Sequence, residues 1–304
     1  MIKLFTHTDL DGVGCAVLAK LAFQDEVEIE YCNYDEINKK VEDYVDYSWD
    51  QKCHITDISI SNELANKITE NMLFGEQFYL FDHHPTALQL NKYRWCKVQV
   101  ENKITHMKTS ATEMYYNWLV NEKYLKKHKR LDRFVEIVRD YDTYRWTELS
   151  DEGILCKQVN DLFYLYGREK FISWCVLKIC CSNSFNLDDT DKLLLDIKQK
   201  EIDDYVEEKD RQLFTLPMCG WIVGFVFAEK YFSELGNRLC KMHPEIDFVV
   251  MIDMDGTVSY RTIREDLDLG QIAKQFGGGG HPKAAGSQFS KEILLKTVEH
   301  IFYK

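Results

Sequence analysis

Long apolar runs are missing from this 304-residue chain. No stretch approaches the roughly 18 consecutive apolar residues of a membrane-spanning helix, so no membrane partner is expected. The opening segment MIKLFTHTDLDG meets acidic residues too early for a signal peptide. Metal-type cysteine pairs are missing too. The ten cysteines include the adjacent Cys180-Cys181 but no CxxC. A zinc site and a disulfide framework are therefore poor readings, and reduced thiols in a cytoplasmic protein are the expectation. Positive charge is scarce: 38 Lys and Arg face 50 Asp and Glu, a net −12. Long duplex nucleic acid, held largely by phosphate neutralisation, is a poor partner for such a chain. Small anionic substrates stay open if metals or local basic groups supply the charge. Histidine is sparse as well, yet two of the nine stand side by side in Phe81-Asp82-His83-His84-Pro85-Thr86.

What is present is a series of short apolar runs that end in polar residues. Ile2 to Phe5, Val27 to Tyr31, Cys53 to Thr56 and Phe78 to Phe81 read as strands, with helical patterns over Gly12 to Phe23 and Asn62 to Asn71. This alternation implies βαβ units and a mostly parallel sheet. Ser110-Ala111-Thr112-Glu113 has the form of a capping box and predicts a helix to about Asn121. Another is expected over Leu131 to Arg139. Residues 187–214 are rich in charge and lack Gly and Pro, which predicts one long helix. Beyond it, Trp221 to Phe227, Asp247 to Met254 and Thr257 to Ile263 look like strands, with Asp255-Gly256 as a tight turn between the last two. The expected fold is α/β. A mostly parallel sheet with flanking helices fills residues 1–186, a connecting helix 187–214, and a smaller α+β domain 215–304.

The strand ends carry the chemistry. His7, Asp9 and Asp11 follow the first strand, Asp57 the third, and Asp82-His83-His84 close the fourth. Residues two apart in an extended segment point the same way, so His7, Asp9 and Asp11 are expected on one side. The carboxyl ends of neighbouring parallel strands meet at one crevice. Crowded carboxylates repel and resist burial, and divalent cations remove both costs. Aspartate and imidazole ligands without cysteine suit Mn²⁺ and, less selectively, Mg²⁺, Zn²⁺ or Co²⁺. So many ligands suggest two metals sharing a carboxylate. Asp140 or Asp142, after the helical pattern near residue 139, offers a further ligand. Each residue taken singly has a plain explanation, such as a helix cap for Asp11 before Gly12. Three strand ends with the same chemistry are hard to explain as caps.

These motifs resemble a known family. HTDLDG, the Asp57 of TDIS, FDHH and an aspartate after a helix are similar to the four motifs of the DHH phosphoesterases. GGGGHPKAAG, preceded by Ser259-Tyr260-Arg261, resembles that family's associated substrate-binding domain. The resemblance implies two divalent cations, Mn²⁺ first with Mg²⁺ or Co²⁺ as alternatives, in a cleft between two domains. Carried over by position, Asp9 sits on one metal, Asp11 on the other and Asp57 between them. His7 and His83 are ligands, and Asp140, as the first aspartate after the helix, is preferred over Asp142. His84 faces the substrate phosphate or helps polarise the leaving group, and Asp82 orients the histidine pair.

The glycine run 277–280 could be a helix cap and linker, but one glycine suffices for a cap. Four let a backbone approach an anion closely. Gly278, Gly279, Gly280, His281 and Arg261 are therefore expected to bind substrate. The function expected is two-metal hydrolysis of short oligonucleotides from an end. The alternatives are a phosphodiesterase of cyclic or linear dinucleotides and a non-catalytic nucleotide-binding protein on the same scaffold. A homodimer is compatible with the resemblance.

Overall fold

The structure, a computed structural model, describes residues 1–47, 52–71, 77–103 and 105–302. The chain divides into two compact units, Met1–Leu195 and Asp196–Lys304. All ten cysteines are free. Among the described residues no helix is long and apolar enough to cross a membrane.

In the first unit, β1 (Ile2–Thr6), α1 (Leu10–Phe23), β2 (Val27–Tyr31), α2 (Ile37–Tyr47), β3 (Lys52–Thr56), α3 (Asn62–Asn71), β4 (Phe78–Asp82) and β5 (Cys96–Val98) alternate along the chain. The five strands form a parallel sheet in the order β2-β1-β3-β4-β5. Successive side chains alternate between two cores, as a sheet covered on both faces requires. Leu4 and Phe81 join one core, with helices α1, α4 (Ala111–Asn121), α5 (Lys129–Asp142), α6 (Asp151–Tyr166) and α7 (Arg168–Cys181). Phe5, Ile55 and Leu80 join the other, with α2 and α3. Ser110 caps α4 by accepting from Glu113 N at 3.2 Å, as its sequence predicts. The Glu113 carboxylate does not return to the cap; it takes Thr109 Oγ1 and Arg139 Nη1 instead. The helix expected over 131–139 extends to Asp142, so Asp140 and Asp142 lie within its last turn rather than after it.

The division between the units falls inside α8 (Asp189–Gln212), the expected long helix. The second unit continues with β6 (Phe214–Met218), β7 (Trp221–Phe227), α9 (Phe232–Met242), β8 (Phe248–Ile252), β9 (Thr257–Arg261), α10 (Leu269–Lys274), β10 (Gly279–His281), β11 (Ala284–Gln288) and α11 (Lys291–Phe302). Its strands form one mixed sheet, β10-β11-β9-β8-β7-β6, in which only the β7–β8 pairing is parallel. Val249 and Met251 face α9, while Val250 and Tyr260 face the Leu269–Ala273 stretch of α10. The turn at Asp255-Gly256 joins β8 to β9, with Gly256 at φ +103°.

Candidate active site

The carboxyl ends of β1, β3 and β4 are neighbours in the sheet, and hydroxyls tie two of them together. Thr56 Oγ1 donates to Thr6 Oγ1, and Thr6 Oγ1 donates to Gly12 O, both at 2.8 Å. Gly12 is needed here, because a Cβ would stand 2.3 Å from the His7 carbonyl oxygen. The first turn of α1 thus folds back over His7. Asp9 caps that helix with one oxygen, accepting from Gly12 N at 3.1 Å, and turns the other to His7 Nδ1 at 2.9 Å. Burial works against the Asp9 carboxylate, but its contacts, the bond to His7 first among those the geometry shows, outweigh it and hold its pKa at about 2.

The segment is helical from Leu10, not extended, so strand alternation is not what places Asp11. The Asp11 carboxylate instead accepts from Ala111 N at 2.6 Å and Thr112 N at 2.9 Å, the first amides of α4. It is 1% exposed, and its Oδ2 lies 3.7 Å from His83 Nε2. An anion on free helix amides is well stabilised, so this carboxylate can be buried at the site's floor.

Asp57 stands between these groups. Oδ2 lies 3.7 Å from His7 Nδ1 and Oδ1 lies 3.3 Å from His83 Nε2. The residue is 1% exposed and adopts φ +60°, a left-handed conformation that costs a non-glycine residue about 1 kcal/mol or more. Neither oxygen has a hydrogen-bond partner among the described residues, nor do the buried His83 Nε2 and Asp142 Oδ2. Burial and the charges of Asp11 and Asp9 push the Asp57 carboxyl well up. Burial, then Asp11 and Asp9, push Asp142 up as well. Buried polar atoms are normally paired. Four orphaned ligand atoms converging on one place fit a cation-binding role. His7, Asp9 and Asp57 bring ligand atoms within 4.8 Å of one another, as do Asp11, His83 and Asp142.

The last of these residues corrects the expectation for Asp140. The Asp140 carboxylate accepts from Arg139 Nε and Nη2 at 3.0 and 2.9 Å and from Arg145 Nη1 at 3.2 Å, so it is committed elsewhere. Asp142 Oδ2 lies 3.4 Å from His83 Nε2. Helical residues two apart point about 200° from each other, so only one can face the cluster. The signal was in the sequence: Leu131, Val135, Val138 and Asp142 lie on one stripe of α5, and Asp140 is opposite it.

Asp82 organises the histidine pair from behind. Its Oδ1 accepts from His83 N at 2.7 Å, His84 N at 3.1 Å and His84 Nδ1 at 2.7 Å, and Ser59 Oγ donates to Oδ2. The bond to Asp82 raises the His84 pKa against the opposing effect of burial. With Nδ1 held, the other nitrogen of His84 is left for substrate. Tyr34, which sequence reasoning missed, stands beside both motifs. Its ring centroid lies 5.0 Å from that of His7 and 6.4 Å from that of His84, and it is 60% exposed. No periodicity marks it, because it sits in the turn between β2 and α2.

Comparison with known proteins decides the family. No family model matches the chain. Oligoribonuclease NrnB of Bacillus subtilis (strain 168) is 37% identical over 307 aligned residues, covering 99% of this chain and 76% of that protein. The chain belongs to the DHH phosphoesterase family. The fold agrees with solved structures too distant to show more than fold. Exonuclease RecJ bound to manganese superposes with a TM-score of 0.59 at 13% identity, covering 99% of this chain and 88% of that one. The pGpG-specific phosphodiesterase PggH from Vibrio cholerae gives 0.53 at 14%, covering 99% and 97%.

In this DHH phosphoesterase the glycine run is less free than its composition suggests. It closes α10 and enters strand β10, paired with β11. A Cβ on Gly278 would stand 2.0 Å from Gly286 O, so packing alone requires that glycine. A Cβ on Gly280, at φ +144°, would stand 2.6 Å from Ala285 Cα, whereas Gly279 has open space. The strand register puts Arg261, Ala284 and His281 in one row on one face, with Ser259, Gly286 and Gly279 in the next. The small residues leave a bare shelf bounded by Arg261 and the exposed His281. Arg261 donates to Tyr260 O and Ser233 Oγ and forms no ion pair among the described residues. Burial lowers its pKa.

Proposed function

We propose that this protein hydrolyses short oligonucleotides, releasing nucleotides from one end, and that two divalent cations serve the reaction. Asp57 carries the reading: a buried carboxylate whose two unpartnered oxygens face two separate groups of ligands. His7 and Asp9 would hold one cation, and His83, Asp11 and Asp142 the other, with Asp57 between them. Bound there, the cations would supply Lewis acidity to the phosphoryl oxygens and lower the pKa of an attacking water toward neutrality. Mn²⁺ suits the mixed imidazole and carboxylate set best.

The remaining work falls to the chain's own groups. The helix amides that hold Asp11 fix one carboxylate in place. Asp82 holds the His84 ring by Nδ1 and favours its protonated form, and in that doubly protonated form the other nitrogen would donate to a phosphoryl oxygen. Arg261 offers a planar guanidinium free of carboxylates to a terminal phosphate or base, and the shelf beside it suits a flat ring. The net charge of −12 favours short substrates over long ones. The free cysteines agree with a reducing, cytoplasmic setting.

The test is incubation of the Mn²⁺-loaded protein with 5′- and 3′-labelled di- to decanucleotides. Stepwise release of mononucleotides supports the reading. Metal loading without hydrolysis of any member would favour a binding protein on the same scaffold.

A further inference from the structure

We propose that Tyr34 is a stacking surface for one of the two nucleobases flanking the scissile phosphate, and so a binding residue that sets how the substrate lies over the metal centre. The inference rests on the reading of the site as a phosphodiesterase centre and extends it to a residue outside the ligand motifs. The ring stands at the mouth of the site, tilted at 46° to His7 and perpendicular to His84. It is 60% exposed, an apolar surface beside the imidazoles of His7 and His84. Among the described residues its hydroxyl forms no hydrogen bond, so the side chain is not placed there to satisfy a polar partner.

Its backbone is held firmly. Cys32 N donates to Thr6 O at 2.9 Å, and Glu36 N and Ile37 N both donate to Asn33 O at 3.1 Å. Glu36 Oε2 accepts from Asn33 N at 3.1 Å, and the buried Cys32 and Ile37 anchor the turn on either side. An exposed ring on a rigid turn loses little conformational entropy on binding. A chain with a surplus of carboxylates also gains from holding nucleotides by stacking, which needs no cation. A diester whose phosphate meets His84 brings its neighbouring sugar and base next to this ring.

The test uses the metal-loaded protein and a methylphosphonate-linked dinucleotide that cannot turn over, with two analogues each lacking one base. Base–aromatic stacking predicts that Tyr34→Leu weakens binding of the intact dinucleotide by about 5- to 150-fold. The loss should fall below about twofold for one abasic analogue and persist for the other, which identifies the stacked base. Tyr34→Trp, which keeps a ring, should restore the dependence on that base. Equal losses on all three ligands would assign Tyr34 a role in shaping the site rather than in stacking. No loss on the intact dinucleotide overturns the proposal outright. Turnover of the ordinary dinucleotide by the unmodified protein tests the parent reading separately, because the binding comparison does not depend on hydrolysis.

Discussion

Asp142 Oδ2 lies 3.4 Å from His83 Nε2, while Asp140, two residues earlier in the same helix, is bound by Arg139 and Arg145. One helical turn thus sends two aspartates to different tasks, and the two should fail differently. Asp142→Asn should cut metal-supported hydrolysis by roughly a hundredfold or more while leaving thermal stability near that of the unmodified protein. Asp140→Asn should lower stability by about 2 kcal/mol, because two guanidinium groups lose charge-assisted bonds, with a smaller effect on turnover. Denaturant melts and kcat/KM at saturating Mn²⁺ measure both. An Asp140→Asn defect confined to activity would contradict the division.

Asp57 combines a left-handed backbone with two unpartnered buried oxygens. That arrangement costs stability unless a cation repays it. In metal-free buffer, Asp57→Asn should be at least as stable as the unmodified protein, and more so by about 1–3 kcal/mol if the backbone keeps its conformation. Hydrolysis should be lost at every Mn²⁺ concentration. Added Mn²⁺ should raise the melting temperature of the unmodified protein much more than that of the variant. A clear destabilisation of the metal-free variant would show that Asp57 serves the fold instead.

His54 predicts the acid limb of stability. It is fully buried among Phe23, Tyr79, Tyr115 and Trp118, bonded through Nδ1 to Tyr115 Oη at 2.7 Å, with Nε2 unpartnered. Burial depresses its pKa to about 3. The unfolded chain takes up this proton near pH 6.5 and the folded chain does not, so stability is present above that pH and lost as pH falls toward 3. At pH 5 the loss is about 2 kcal/mol. His54→Phe should flatten the slope of unfolding free energy between pH 7 and 5, whatever its constant offset. An unchanged slope would place the acid sensitivity elsewhere.

The shelf in the second unit can be filled. Ala284 stands between Arg261 and His281 in the sheet, and Ala284→Leu covers the gap. The variant should raise KM for a dinucleotide about tenfold or more, as should Arg261→Ala, which loses a charge-assisted contact. Metal stoichiometry should be unchanged in both. If either variant loses metal, the shelf is not a separate binding element.

Much of this was legible in the chain because strand ends are. Apolar runs stop where the sheet stops, so Asp57 and Asp82-His83-His84 could be assigned to one end of one sheet from spacing alone. The geometry at each end was not legible. Asp11 looked like a partner of Asp9 by alternation, but the helix starts at Leu10 and turns its carboxylate onto the amides of α4, about a hundred residues away in sequence. The choice of Asp142 over Asp140 needed the helix to continue past residue 139. Strands β10 and β11 are built largely from Gly, Ala and Ser, which carry little strand preference, so nothing in their pattern marked them.

The central claim is that Asp57 lies between two cations. Anomalous diffraction from crystals grown with Mn²⁺ tests it most directly. Two peaks about 4 Å apart are expected, one beside His7 and Asp9, the other beside Asp11, His83 and Asp142, with an Asp57 oxygen toward each. A single peak, or a pair that leaves Asp57 uncoordinated, would contradict it.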